Sequence, residues 1–425
     1  MTTSYAPHYA ALQPARRAVA AAGRWEKLAA ALCLAQFSEP LFAAIAQSRG
    51  LTEPPEYARI FFLPVYAFLI WALWRERDKA AAAVRATPFL FALLALAFAS
   101  TFWSIDAGGT FRRCVWLAAS MSFAGYLAWR YDWRALMGVL AGAYLVLIVG
   151  SFVTALIAPS VGVMTTEHPG AWSGLWTHKN MLGGYMALGV AIGIAAAVAD
   201  STRRRLWFCV ALGAFALVLL STSKTALLAT LLGLAVMAAC AIARRGPLQA
   251  LLMGAGGALA AIVVGVIFLF APSILADAIG RDLTLTGRTD IWHAAGAAAA
   301  AHPWFGYGYY VFWLPADGPA YWVRQAVGWP VQSAHSGWLE TALGVGFAGV
   351  STFALQLIAT FMRGARAIFD GVAGLWAPAF LAMFALYTPS ETHVLTANDL
   401  FWIIYVAVAA KLSLDARAAK RSAAP

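Results

Sequence analysis

The sequence predicts an all-α integral membrane protein. About twelve transmembrane helices carry a large outer loop with short surface helices between the ninth and tenth, and both termini lie in the cytoplasm. Three observations predict this. Hydrophobic residues make up 62% of the chain and charged residues only 12%, where a soluble protein carries about 25% charged; with a mean hydropathy of +0.72, the chain needs an apolar solvent. Apolar runs of about 15–25 residues recur along it, the length a helix needs to cross a hydrocarbon core. The basic residues between those runs fall unequally on two sides.

In chain order the runs are 28–46, 60–74, 87–102, 114–128, 135–158, 180–198, 206–220, 225–243, 248–270, 337–362, 371–386 and 400–414. The fourth is the shortest signal and is rich in Ser and Ala. Residues 1–27 read as a basic cytoplasmic tail with no cleavable signal pattern. The first nine helices occupy 28–270, the outer loop 271–334 and the last three helices 335–414, leaving 415–425 as a second tail. Basic residues mark every second gap: Arg24 and Lys27 before the first run, Arg75 to Arg85 after the second, Arg130 and Arg134 after the fourth. Arg203 to Arg205, Arg244 and Arg245, Arg363 and Arg366, then Lys411 to Arg421 continue the pattern.

Of the 30 Lys and Arg, 21 fall on that side and 9 on the other, which places the termini in the cytoplasm. The net charge of +11 is therefore a topology signal spread between apolar segments, unlike the coherent basic face of a nucleic-acid binder. The four cysteines lie in or beside apolar runs without a CxxC and read as small buried hydrophobes. Nine outer basic residues are left unexplained by topology: Arg49, Arg59, Arg112, Arg113, Lys179, Lys224, Arg281, Arg288 and Arg324. Every histidine but His8 joins them there. Any chemistry should face outward.

The outer loop carries eleven aromatic residues between Trp292 and Trp329. Disordered segments are poor in aromatics, so this loop should fold. Within it Thr289 is placed to cap a short helix over 290–301, stopped by Pro303 and too short to span.

Five stretches can bear chemistry, and each has a plain alternative. Arg288, just before that helix, combines a fixed charge with free backbone N–H groups, suited to phosphate; the alternative is a lipid headgroup contact or a pair with Asp290. Lys224, in Ser221-Thr222-Ser223-Lys224-Thr225, has hydroxyls around it that suit a phosphate or sugar, or it snorkels. In Trp172 to Asn180, His178 and Lys179 suit an anionic ligand while Asn180 caps the next helix; the alternative is an interfacial aromatic belt. His302-Pro303-Trp304-Phe305-Gly306-Tyr307-Gly308 is a rigid aromatic turn that can stack on sugars or sit among headgroups. His335, in Ser333-Ala334-His335-Ser336-Gly337, is a titratable group at a helix entry and the best candidate for proton transfer, against a structural role. Glu340 lies five residues on, turned away around the helix; Glu391 or His393 are the candidates to orient His335. No HxxxH, HExxH or Asp-x-Asp occurs, so no metal site is expected.

Four elements in order resemble one family: His178-Lys179-Asn180-Met181-Leu182-Gly183; Ser221-Thr222-Ser223-Lys224; Gly287-Arg288 with Trp292; and His335-Ser336 followed by Leu339 and Gly346. With the twelve spans and the large loop, the chain resembles, from about Thr101 onward, the O-antigen ligase and polysaccharide polymerase superfamily of bacterial inner membranes. The resemblance implies a multi-pass inner-membrane glycosyltransferase of lipopolysaccharide biosynthesis, with a periplasmic active site and no metal or other cofactor. Its donor would be a glycan on undecaprenyl pyrophosphate and its acceptor, for a ligase, a lipid A-core sugar. It further implies His335 as base and Arg288 as a pyrophosphate-binding arginine, with Lys224 where the family often has arginine and Glu391 near an acidic family position. Lysine at 224 keeps the charge and loses the bidentate fork. Arg281, His178, Lys179 and Asn180 complete the candidate substrate-binding set.

The chemistry is consistent with those residue types. Displacing a sugar from pyrophosphate requires a deprotonated acceptor hydroxyl and a stabilised leaving group, and direct attack inverts the anomeric carbon. A polymerase of lipid-linked repeat units would use the same chemistry. A transporter or lipid flippase would instead place ionisable groups near the membrane midplane, where this chain has few, Glu39 being the clearest.

Overall fold

The computed structural model describes residues 22–40, 42, 45, 46, 60–270, 288–315 and 317–422, with side chains to residue 259 in the longest stretch. Among these the structure is helical, apart from one isolated antiparallel bridge between Val163 and Trp172. The helices are Arg24–Gln36, Leu63–Arg75, Arg77–Ala86, Pro88–Ala99, Ala107–Arg130, Trp133–Ile157, Lys179–Ala199, Arg204–Leu220, Lys224–Ala243 and Pro247–Phe270. Arg288–Ala301 and Ala320–Val327 follow in the loop, then Gly337–Arg366, Ala373–Tyr387 and Leu400–Ser422.

Helices stand where the apolar runs predict them. Among the described residues four are long and apolar enough to cross a membrane: Trp133–Ile157, Lys179–Ala199, Lys224–Ala243 and Gly337–Phe369. A fifth arises if Arg77–Ala86 and Pro88–Phe102, bent by 95°, count as one broken span. The first of that pair is absent from the sequence expectation, which treats 75–85 as a polar loop. Its Ala-rich stretch favours helix, while Pro88, lacking an N–H, forces the bend after Thr87. The weakest predicted run, 114–128, belongs to a full 24-residue helix, started by Asp106, whose carboxylate accepts the Gly109 N–H at 2.8 Å.

Lys179–Ala199 lies at the centre, packed against Arg204–Leu220, Lys224–Ala243, Trp133–Ile157 and Ala373–Tyr387. Its small residues permit close approach: a Cβ at Gly193 would stand 2.6 Å from the Ala211 backbone nitrogen. The stretch 400–412 is buried all round, as a helix without a polar face must be. Outward, Leu156, Ile157 and Leu212 are 69%, 78% and 70% exposed. Such apolar surface is stable only against lipid.

The Gly337–Arg366 helix is broken at Gly346, which adopts φ 65°, ψ −165°. The break frees backbone groups, and the loop segment 303–308 satisfies them. Tyr307 N–H donates to Leu343 O at 2.8 Å and Gly308 N–H to Gly344 O at 3.0 Å. On the other side, Phe347 N–H donates to Pro303 O at 2.7 Å and Ala348 N–H to Trp304 O at 3.2 Å. A third partner closes the sandwich: Trp103 Nε1 donates to Phe305 O at 2.9 Å and Ile105 N–H to Tyr307 O at 3.0 Å. The rigid aromatic turn is thus a splint across a broken helix, with buried backbone groups paired as they must be.

The rest of the described loop folds too. Ile291, Ala295, Tyr307, Phe312, Val323, Val331 and Leu343 form a second small core, as its aromatic content predicts. Its first helix begins at Arg288, so Arg288 lies in the first helical turn and not ahead of it.

Candidate active site

Four helix ends and one loop meet at the end of the bundle where the 221–223 turn lies. The first is the start of Lys179–Ala199. Its cap is His178, whose Nδ1 accepts the Asn180 N–H at 3.1 Å. The expected capping residue, Asn180, instead accepts the Ser223 hydroxyl at 2.9 Å. Lys179 Nζ lies 3.4 Å from Thr222 Oγ1, so the two motifs that were separate in sequence are tied side by side. Thr222 turns the chain with φ 52°, and Lys224 heads the next helix. With Nδ1 engaged as acceptor, a neutral His178 carries its proton on Nε2, which lies 3.6 Å from Glu167.

The second cluster is built on the loop 388–393. Arg288 Nη2 donates to Glu391 Oε1 at 3.0 Å, and Arg288 Nη1 donates to the Ser390 carbonyl. The side chains of Arg288 and Glu391 are 14% and 24% exposed. A guanidinium has five N–H donors, so three stay available beyond these two contacts among the described residues. The same loop receives the start of Gly337–Arg366: Gly337 N–H is shared between Thr388 O at 2.9 Å and Glu391 O at 3.0 Å. Trp338 Nε1 donates to Thr388 Oγ1 at 3.1 Å.

His335 sits where these elements converge, with the left-handed φ of 47°. Ser336 follows as the helix cap, its hydroxyl accepting the Leu339 N–H at 3.4 Å. The imidazole is half-buried and makes no hydrogen bond among the described residues. Its pKa is held below the ordinary histidine value, first by burial and next by the Arg288 charge; Glu391 opposes this and His178 adds to it. His178 is likewise lowered, by burial first, with Glu167 and Glu391 opposing. His335, Arg288, Glu391 and His178 therefore share one electrostatic neighbourhood.

His393 is not part of it in the expected way. Its Nδ1 lies 3.0 Å from Asp399 Oδ2, and its ring stacks on Phe401. Burial opposes its charge, but Asp399 and then Glu391 outweigh burial and raise its pKa. Asp399 also caps the last helix by accepting the Trp402 N–H at 2.8 Å. Arg281 lies outside the described residues. Among the described residues no three His, Cys, Asp or Glu gather as metal ligands.

Sequence reasoning missed Ser390, Thr388 and Glu167, which act through backbone carbonyls, a hydroxyl and an exposed carboxylate. None belongs to a motif that marks it. It also set Glu340 aside, yet this side chain reaches back to the Ala334 N–H at 2.5 Å.

The arrangement defines a class: a helical membrane protein with a half-buried histidine and an anchored arginine at one end of its bundle. Residues 208–354 match the O-antigen ligase family. That segment carries Lys224, Arg288 and His335; His178 and Glu391 lie outside it. The chain is also 27% identical over 288 residues to the Exopolysaccharide production protein ExoQ of Rhizobium meliloti (strain 1021), the match spanning 64% of each chain, less than two thirds of that relative's length. Both matches are in line with the O-antigen ligase and polysaccharide polymerase superfamily that the four motifs resemble.

Proposed function

We propose that this protein is an O-antigen ligase: a metal-independent, inverting glycosyltransferase that moves a glycan from undecaprenyl pyrophosphate to a lipid A-core hydroxyl at the periplasmic face of the inner membrane. The observation that carries the reading is the convergence of His335, Arg288, Glu391 and His178 at one end of the bundle. We further propose the topology of twelve spans, with cytoplasmic tails 1–27 and 415–425, spans within 28–270 and 335–414, and the periplasmic loop 271–334.

In this reading His335 is the base. Burial disfavours its charged form, and the neutral ring's free nitrogen accepts the acceptor hydroxyl's proton, a contribution of about 10²–10⁴ in rate. The resulting oxygen attacks the anomeric carbon from the face opposite the pyrophosphate. The carbon–oxygen bond to the donor breaks, and its electron pair leaves on the pyrophosphate oxygen. Arg288, fixed by Glu391 and Ser390, meets that growing charge with its remaining donors, and Lys224 adds a second cation across the Asn180–Ser223 tie. One such contact is worth about 2.7–4 kcal/mol in the transition state. His178, Lys179 and Asn180 bind the glycan or phosphate, and Arg281 joins the anionic subsite.

A second reading has a specific observation behind it: the curated relative is named for exopolysaccharide production. A polymerase of lipid-linked repeat units would use the same base and cations with a second lipid-linked glycan as acceptor. Reconstitution with undecaprenyl-pyrophosphate glycan, with and without lipid A-core, separates them. Transfer only with core present supports the ligase; chain extension without core supports the polymerase. Full activity in His335→Ala would overturn the base assignment in both.

A further inference from the structure

Glu340 is buried, 8% exposed. Among the described residues its carboxylate has no cationic partner; its hydrogen bonds come from Trp313 Nε1, at 3.0 and 3.2 Å to the two oxygens, and from the Ala334 N–H at 2.5 Å. A buried carboxylate with only neutral donors is costly, although its place in the first helical turn offsets part of the cost. Such a group near a membrane face marks function by default. What it holds is the N–H of Ala334, the residue before His335. The other end of that residue, Ala334 O, accepts Trp292 Nε1 at 2.9 Å.

The scaffold behind these contacts is also fixed. Arg324 binds three carbonyls: Trp313 O at 2.5 Å, Val331 O at 3.1 Å and Pro315 O at 3.4 Å. It thereby sets both the strand of chain that aims the Trp313 indole and the one that leads into Ala334. Beyond His335, Gly337 is tied to Thr388 and Glu391. His335 is thus a left-handed residue strung between two anchored peptides. Glu340 contacts the Ala334 backbone and not the imidazole, so its influence runs through the backbone.

We propose that Glu340 is a positioning residue for His335: fixed by Trp313, it holds the N–H of Ala334 while Trp292 holds the carbonyl, and this clamp on the preceding residue keeps His335 in its left-handed conformation, aimed into the site. This rests on the reading of His335 as base. Gln at 340 keeps the shape but offers one acceptor oxygen, and its amide N–H₂ must face a donor. With its oxygen in the Oε1 place the amide N–H₂ faces the Trp313 Nε1–H, and turned over it faces the Ala334 N–H, so a donor meets a donor either way and the hold on Ala334, and with it the imidazole, is disturbed. Misplacement by about 1 Å can cost 10²-fold in rate.

The test uses the full chain in nanodiscs, assayed with undecaprenyl-pyrophosphate glycan and lipid A-core, and labelled with ¹⁵N-histidine. The signal missing from His335→Ala identifies His335. In Glu340→Gln, kcat is expected to fall about 10–100-fold with donor KM within about twofold, since Arg288 is untouched, and the His335 signal should shift while the His178 and His393 signals stay. An unchanged kcat with an unmoved His335 signal overturns the proposal. So does a general loss in which all histidine signals move and KM rises with the fall in kcat. If Glu340→Gln does not fold, Trp313→Phe removes one donor to the carboxylate and is read by the same two measurements. Should His335→Ala keep its activity, the base reading fails, and the shift or constancy of the His335 signal in Glu340→Gln still decides whether Glu340 positions it.

Discussion

The break at Gly346 allows a worked prediction. A Cβ there would stand 2.3 Å from Phe305 N and Trp304 C and 2.4 Å from Trp304 O. These are backbone atoms and cannot swing aside. The dihedral region, φ 65° and ψ −165°, is open essentially only to glycine and costs other residues about 1–3 kcal/mol. Relief of the clash requires segment 303–308 to withdraw. Losing two of its four backbone hydrogen bonds costs about 0.5–1.5 kcal/mol each, so Gly346→Ala should destabilise by about 2–6 kcal/mol in all. Gly344→Ala is the matched control two residues away. Its Cβ would meet Tyr310 N at 3.4 Å and Tyr309 Cα at 3.6 Å, ordinary contact, at a helical position where alanine gains roughly 0.5–1 kcal/mol. Equilibrium unfolding in mixed micelles at graded SDS measures both, and glycan transfer measures the consequence. Because the segment continues from the Arg288–Ala301 helix, Gly346→Ala should also weaken donor use. Equal stability of the two variants would refute the splint.

Arg288→Lys should lower kcat/KM for the donor despite the retained charge, because one ammonium cannot bridge Ser390 O and Glu391 while presenting a fork; unchanged kinetics would refute bidentate pyrophosphate binding. With His335 as the proposed base the neutral imidazole is the active form, and burial and Arg288 lower its pKa, so the acid limb of kcat/KM should lie below the ordinary histidine range. Arg288→Gln removes a lowering influence and should move the limb up, while Glu391→Gln removes a raising one and should move it down; shifts in the same direction would sink the assignment. Asp399→Asn keeps a side-chain acceptor for the Trp402 N–H but removes the charge that raises His393, so an NMR titration should show His393 titrating lower. EDTA should leave transfer intact, and loss of activity restored by Mg²⁺ would overturn the metal-free reaction.

Apolar run length was enough to locate most of the described helices, because membrane solvation imposes it directly on sequence; the polar Arg77–Ala86 helix has no such run and escaped it. The order of the four motifs led to the expectation that His178, Lys224, Arg288 and His335 belong together; the fold brings the Asn180 and Ser223 segments into contact. The failures have physical causes. Gly346 looks like any glycine in an apolar helix, since the strand of backbone that opens it comes from some forty residues upstream. Thr87-Pro88 carried a break signal, but no pattern tells how far the chain turns there. Glu340 was set aside for its angle around the helix. After Ser336 as cap it stands one place beyond the capping-box position, so its reach to Ala334 has no sequence signature. His393 looked free to orient His335, yet Asp399, six residues on, claims it.

The left-handed backbone of His335 has a consequence for how natural variation and engineering will treat the position. An L-residue with a side chain held there stores about 1–3 kcal/mol that glycine would release. Screens for thermostability alone should therefore drift toward His335→Gly, yielding a tougher protein without the proposed base. Under the proposed function, only selection on glycan transfer keeps the imidazole in place, and robustness and turnover are opposed at this one residue.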